Sequence, residues 1–135
     1  MEIEILVVTH GRLAEELINT LKNIMGPPEA LGFFPVKRNC SARRMRKEYE
    51  KFTGTILKER ALLVLTDLLG GTPTNISMPL LKKDNVEIIT GVNLPMLIKA
   101  VHKRKTVKNL KELAGILEAA GKESVINCRE YIDRF

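Results

Sequence analysis

Short apolar runs alternate along this chain with longer stretches in which apolar positions recur every three or four residues. The first run, Ile3 to Thr9, is β-branched and nearly all apolar, the pattern of a strand covered on both faces. After His10-Gly11, Leu13, Leu17, Leu21 and Ile24 recur at helical spacing with Ala14, Ile18 and Met25 beside them, and Gly26-Pro27-Pro28 stops that helix. A second strand is predicted at Ala30 to Val36. Ser41 can cap a helix with an apolar stripe of Met45, Tyr49, Phe52 and Ile56, weakened by Gly54. Ala61 to Thr66 reads as a third buried strand and Asp67 to Gly71 as the turn after it. Thr72-Pro73 then predicts a helix start, with Thr at the N-cap and Pro first inside. Val86 to Thr90 is a fourth strand, followed by Gly91 to Pro95 and a short helix to about Val101. Leu110, Leu113, Leu117 and Ala120 mark a last helix with Gly121 at its C-terminal end, and Ser124 to Asn127 can form a short fifth strand.

Strands alternating with helices predict an α/β fold, an open and mostly parallel sheet with helices on both faces, in one domain over residues 1–135. There is no repeat, low-complexity segment or linker. In such sheets ligands bind beyond the carboxyl ends of the strands, where strand order reverses. Three segments leave a strand at that edge: Thr9-His10-Gly11, Asp67 to Thr72, and Gly91 to Asn93. A strand order of 2-1-3-4 would set His10 and Asp67 face to face. One imidazole nitrogen can then carry a phosphoryl group while a carboxylate on the other fixes the tautomer and steadies the developing charge. Gly70, Gly71 and the Thr72 hydroxyl are placed to cradle phosphoryl oxygens at a helix start. Taken singly, these signals are ordinary. Asp67 alone could cap its own turn, and paired glycines mark many turns. No metal or other cofactor is required, no P-loop is present, and no serine sits in a nucleophile elbow.

Composition adds less. With no Trp, two Tyr and four Phe, the core must be aliphatic. Cys40 and Cys128 have neither disulfide-framework nor zinc spacing, and a reducing compartment is the natural reading. No secretory signal or membrane span is recognisable, so a cytoplasmic protein is expected. The net charge of +6 is concentrated in Lys37, Arg38, Arg43, Arg44, Arg46 and Lys47, with a second cluster at His102 to Lys105. Such clusters are commonly solvated faces. Four cations in the first turns of a helix oppose its dipole, however, which favours attraction of an acidic partner. No aromatic platform accompanies them, so no nucleic-acid partner is expected.

Three motifs together carry a resemblance: Val7-Val8-Thr9-His10-Gly11 with Leu13 to Leu17, Leu65 to Asn75, and Ile89 to Leu97. Their order and spacing, over nearly the whole chain, are similar to the enzyme IIA domain of the mannose family of the bacterial sugar phosphotransferase system. The resemblance implies that His10 takes phosphate from the histidine phosphocarrier protein and donates it to a IIB component, touching a membrane only through a transporter complex. It implies that Asp67 pairs with the His10 ring and that Gly71 and Thr72, beside Gly11 and Gly70, help hold the phosphoryl group. It also implies a 2-1-3-4 parallel sheet and a homodimer that exchanges a C-terminal antiparallel strand, here Ser124 to Asn127. Arg12 and Leu69 stand where family members can carry an aromatic residue; with Asn93 they are expected on the partner-docking rim. The segment Lys37 to Lys47 is more basic than the family's usual acidic equivalent. A regulatory module of the same fold, or the phosphocarrier of a dihydroxyacetone kinase, are the alternative functions.

Overall fold

Side chains that alternate in direction along a strand force a parallel sheet to be apolar on both faces, and the runs at Ile3 and Ala61 meet that demand. The computed structural model describes residues 2–134. Its four strands are β1 (Ile3–Val8), β2 (Leu31–Phe33), β3 (Ala61–Thr66) and β4 (Val86–Ile89), all parallel in the order β2-β1-β3-β4. The helices are α1 (Leu13–Met25), α2 (Ala42–Leu57), α3 (Thr72–Ser77), α4 (Leu94–Lys103), α5 (Leu110–Glu123) and α6 (Cys128–Asp133). A 3-10 stretch, Met78–Lys82, continues α3.

The sheet divides the core by residue parity. Ile3, Ile5, Val7, Ala61, Leu63 and Leu65 face α1, α4 and α5. Leu6, Val8, Leu62 and Val64 face the other way, against α2, α3 and the 3-10 stretch, where Tyr49 is fully buried. In α1 the buried positions are Ala14, Ile18 and Leu21, while Leu13 and Ile24 are exposed. The apolar stripe is therefore rotated from the one that leucine spacing suggests.

Several sequence expectations need correction. β2 is shorter than Ala30 to Val36. The N-cap of α3 is Gly71, with Thr72 as the first helical residue and Pro73 the second. Gly121 does not end α5; it is buried within it, where an added Cβ would meet Met96 Cε at 2.6 Å. Ser124 to Asn127 is no strand in this chain. Ser124 N–H donates to Ala120 O and its hydroxyl to Gly121 O, so its backbone closes α5, and Asn127 caps α6 through Arg129 N–H. α6 itself was not foreseen.

Arg104 also departs from the solvated-cluster reading. It is only 8% exposed. Its guanidinium donates to the carbonyls of Ala30, at 2.8 Å, and Glu29. Ala30 is the one described non-glycine residue with positive φ, at 49°, so a buried cation holds the strained turn that leads into β2. Arg104→Met keeps the stem but removes these charged donors. It should lower the unfolding free energy by about 2 kcal/mol, measured by chemical denaturation, while Lys105→Met at the exposed neighbour should change little.

Candidate functional site

The strand order reverses between β1 and β3, which leave the sheet toward opposite faces: β1 into α1, β3 into α3. A crevice opens between their carboxyl ends, and the pairing of Val8 with Thr66 brings the next residues of each chain segment side by side. Thr9 is buried, and its Oγ1 accepts from Ala14 N–H at 2.7 Å and donates to His10 O at 3.1 Å, fixing the start of α1. Gly11 turns the chain with φ +56°, a conformation costly for residues with a Cβ.

Asp67 Oδ2 accepts two bonds from one residue, from His10 N–H at 2.9 Å and from ring Nδ1–H at 2.8 Å. Its Oδ1 accepts from Leu68 N–H at 3.0 Å. The His10 side chain is 51% exposed and the Asp67 side chain 11%. Burial works to raise the Asp67 pKa, but the backbone and ring hydrogen bonds from His10, the charge of that ring and the Leu68 bond outweigh it, and the net shift is downward. An ionised carboxylate only accepts, so the proton of neutral His10 is assigned to Nδ1 and the lone pair to Nε2.

Gly71 lies against that free edge. A Cβ built on it would stand 2.9 Å from Nε2, so any other residue here would displace the ring from its position on Asp67. Gly70 has φ +89°, and its carbonyl accepts from Asn75 Nδ2 at 3.1 Å. Thr72 is exposed at the first position of α3. Around this centre, Leu69 is 75% exposed and the Arg12 side chain 75% exposed, the latter ion-paired with Glu15 and Glu16. Asn93 stands at the same sheet edge but is committed elsewhere. It caps α4 through Met96 N–H, and its amide donates to Gly121 O and Ser124 Oγ. The basic residues from Lys37 to Lys47 follow β2, and so leave the sheet at this edge too; all six are exposed, and Arg44 pairs with Glu48 at 3.2 Å. His102 is exposed at the end of α4, away from the crevice.

Sequence reasoning missed Thr66, Thr74 and Asn75 as parts of the site's framework. A hydroxyl residue ending an otherwise apolar strand, as Thr66 does, was the available signal.

Known proteins resemble this chain in sequence and in fold. Residues 4–117 match the family model described as the PTS system fructose IIA component. The chain is 30% identical over 126 residues to the PTS system mannose-specific EIIAB component of Escherichia coli, covering 93% of this chain but only 39% of that protein. It is 26% identical to the PTS system fructose-specific EIIA component of Bacillus subtilis, over 98% of this chain and 90% of the relative. The crystal structure of the phosphotransferase system component EIIA from Streptococcus agalactiae superposes with a TM-score of 0.85 at 27% identity, covering 95% and 98% of the two chains.

The depressed pKa sets a testable pH window. A lowered folded-state value means that the pairing stabilises the fold fully above the ordinary aspartate range, near pH 4, and is lost as pH falls through the depressed value. Following the Asp67 carboxyl carbon by NMR should give a midpoint below that of a model aspartate. A midpoint at or above it would contradict the arrangement.

Proposed function

This chain belongs to the mannose and fructose enzyme IIA family of the phosphotransferase system, and on that premise we propose that it is a phosphocarrier whose phosphoryl group rides on Nε2 of His10. The observation that carries the reading is the double grip of Asp67 on His10, which occupies Nδ1 and leaves Nε2 open beside Gly71. The histidine phosphocarrier protein is the donor and a IIB component the acceptor. The His10 lone pair attacks phosphorus in line as the donor's N–P bond breaks and returns its electron pair to the donor imidazole. The proton stays on Nδ1, where the Asp67 carboxylate offsets the positive charge of the ring. Backbone N–H groups around Gly71 and Thr72, with the Thr72 hydroxyl, receive the phosphoryl oxygens, and Gly11 and Gly70 let the two turns approach. Transfer onward reverses these steps toward the acceptor. Arg12 and Leu69 form the rim a partner meets. The cations from Lys37 to Lys47 favour a partner with an acidic face, and their pull weakens as salt rises.

The homodimer belongs to the same reading. β4 is an edge strand whose free side opens on a groove lined by Met78, Leu81, Ile88 and Gly115. Val125 and Ile126 are 83% and 53% exposed in the single chain. An open edge and an exposed β-branched segment are complementary liabilities, and pairing residues 124–127 with β4 of a second copy would cover both.

Incubation with phosphoenolpyruvate, enzyme I and the histidine phosphocarrier should place one acid-labile phosphate on the protein, and none on His10→Ala. Full labelling of that variant would overturn the assignment. Asp67→Asn should stay folded and transfer roughly 10- to 1,000-fold more slowly, less than the ~10⁴ lost when a serine protease loses its orienting carboxylate. Unchanged kinetics would remove Asp67 from the chemistry. Sedimentation should give a dimer mass for the full chain, and monomer or aggregate after deletion beyond Glu123; a full-length monomer would end the exchange proposal.

A further inference from the structure

The residues on either side of Asp67 share a single anchor. Thr74 Oγ1, on α3, donates to Leu68 O at 2.6 Å. The same oxygen lies 2.7 Å from Thr66 Oγ1. A threonine hydroxyl has one proton, and Thr74 spends its own on Leu68, so the bond between the two hydroxyls is donated by Thr66. Both side chains are buried, Thr66 at 0% and Thr74 at 1% exposure, so water does not reach the bond between the two hydroxyls. Thr66 is fixed from a second direction as well, because its carbonyl accepts from Val92 N–H at 3.0 Å.

We propose that Thr74 is a positioning residue for the phosphoryl-accepting pair: one buried hydroxyl ties together residues 66 and 68 and thereby sets where the Asp67 carboxylate meets His10. The proposal rests on the phosphocarrier reading for its kinetic consequence, but not for its structural one. With both neighbours pinned to one atom, the Asp67 backbone has little freedom to rotate, and its Oδ2 stays on His10 N and Nδ1 while Oδ1 stays on Leu68 N. Thr74 is two residues from Thr72 and on the same short helix, so the anchor also relates the Asp67 turn to the backbone beside Nε2. Its hydroxyl faces the carbonyl of Leu68 and not the ring, and it does not touch the reacting atoms.

The sharpest test compares Thr74→Val, equal in shape but without the hydroxyl, with Thr74→Ser, which restores it. Three readouts are taken on the full chain: thermal unfolding, the ring ¹⁵N shifts of His10, and the rate of His10 phosphorylation by phosphoramidate, a small donor needing no docking surface. Thr74→Val should remain folded, lose the Nδ1–H signature of a ring held by Asp67, and label roughly 10- to 100-fold more slowly, the scale on which small misplacements cost rate. Thr74→Ser should recover both the ring signature and a rate within about twofold of the original chain. Thr66→Val, which keeps the Leu68 bond, should fall between them and replaces Thr74→Val if that variant does not fold. An unchanged ring signature and rate in folded Thr74→Val, or in Thr66→Val when Thr74→Val is unfolded, would overturn the proposal. Equal slowing in Thr74→Ser and Thr74→Val would do so as well. If the original chain takes no phosphate from phosphoramidate or from the histidine phosphocarrier, the phosphocarrier reading fails, and the ¹⁵N shifts alone still decide the positioning role.

Discussion

The fold and the chemistry meet in one oxygen. Asp67 Oδ2 receives both a backbone and a ring N–H of His10. Those two residues are brought together only because β1 and β3 are central neighbours in a sheet whose order reverses between them. A carboxylate with two donors on one oxygen and a third on the other favours its charged form despite its burial. That charge in turn decides which ring nitrogen is free. The surrounding turns contain glycines where a Cβ would be strained or would collide, at Gly11, Gly70 and Gly71.

The central sheet and the pairing of His10 with Asp67 were legible in the sequence because each depends on short-range pattern. Strands buried on both faces must be apolar throughout, so Ile3 to Val8 and Ala61 to Thr66 announce themselves. His10 and Asp67 each stand just past such a run. What escaped reading depends on contacts that periodicity does not encode, some of them distant in sequence and some local. Arg104 sits among cations and reads as solvated, yet it reaches carbonyls more than seventy residues away. Val125 and Ile126 have the branching of a strand, but within this chain the backbone next to them is used to finish one helix and start another. Thr66 and Thr74 look like ordinary polar ends of their segments until the fold closes one hydroxyl onto the other. Helix caps erred by a single residue at α3, because proline is tolerated at the second helical position as well as the first.

The charge distribution also has a directional character that a net value conceals. The exposed cations of α2 and the acidic pair Glu15 and Glu16 of α1 belong to helices on opposite faces of the sheet, and both helices begin at the edge that carries His10. The edge around His10 therefore presents a surface of mixed sign, the kind of pattern that distinguishes one docking orientation from its reverse.

Parallel pairing of β1 with β3 has a consequence for chains that fold wrongly. The two strands are joined by more than fifty intervening residues, so their alignment closes a long loop at an entropic cost. A slip of one position would turn every side chain of a strand to the opposite layer, exchanging the α1 side for the α2 side. The same slip would separate the imidazole from its carboxylate. A misaligned chain would thus lose the hydrogen-bonded pair of His10 and Asp67 together with its packing, so the site exists only when the strands are in correct register.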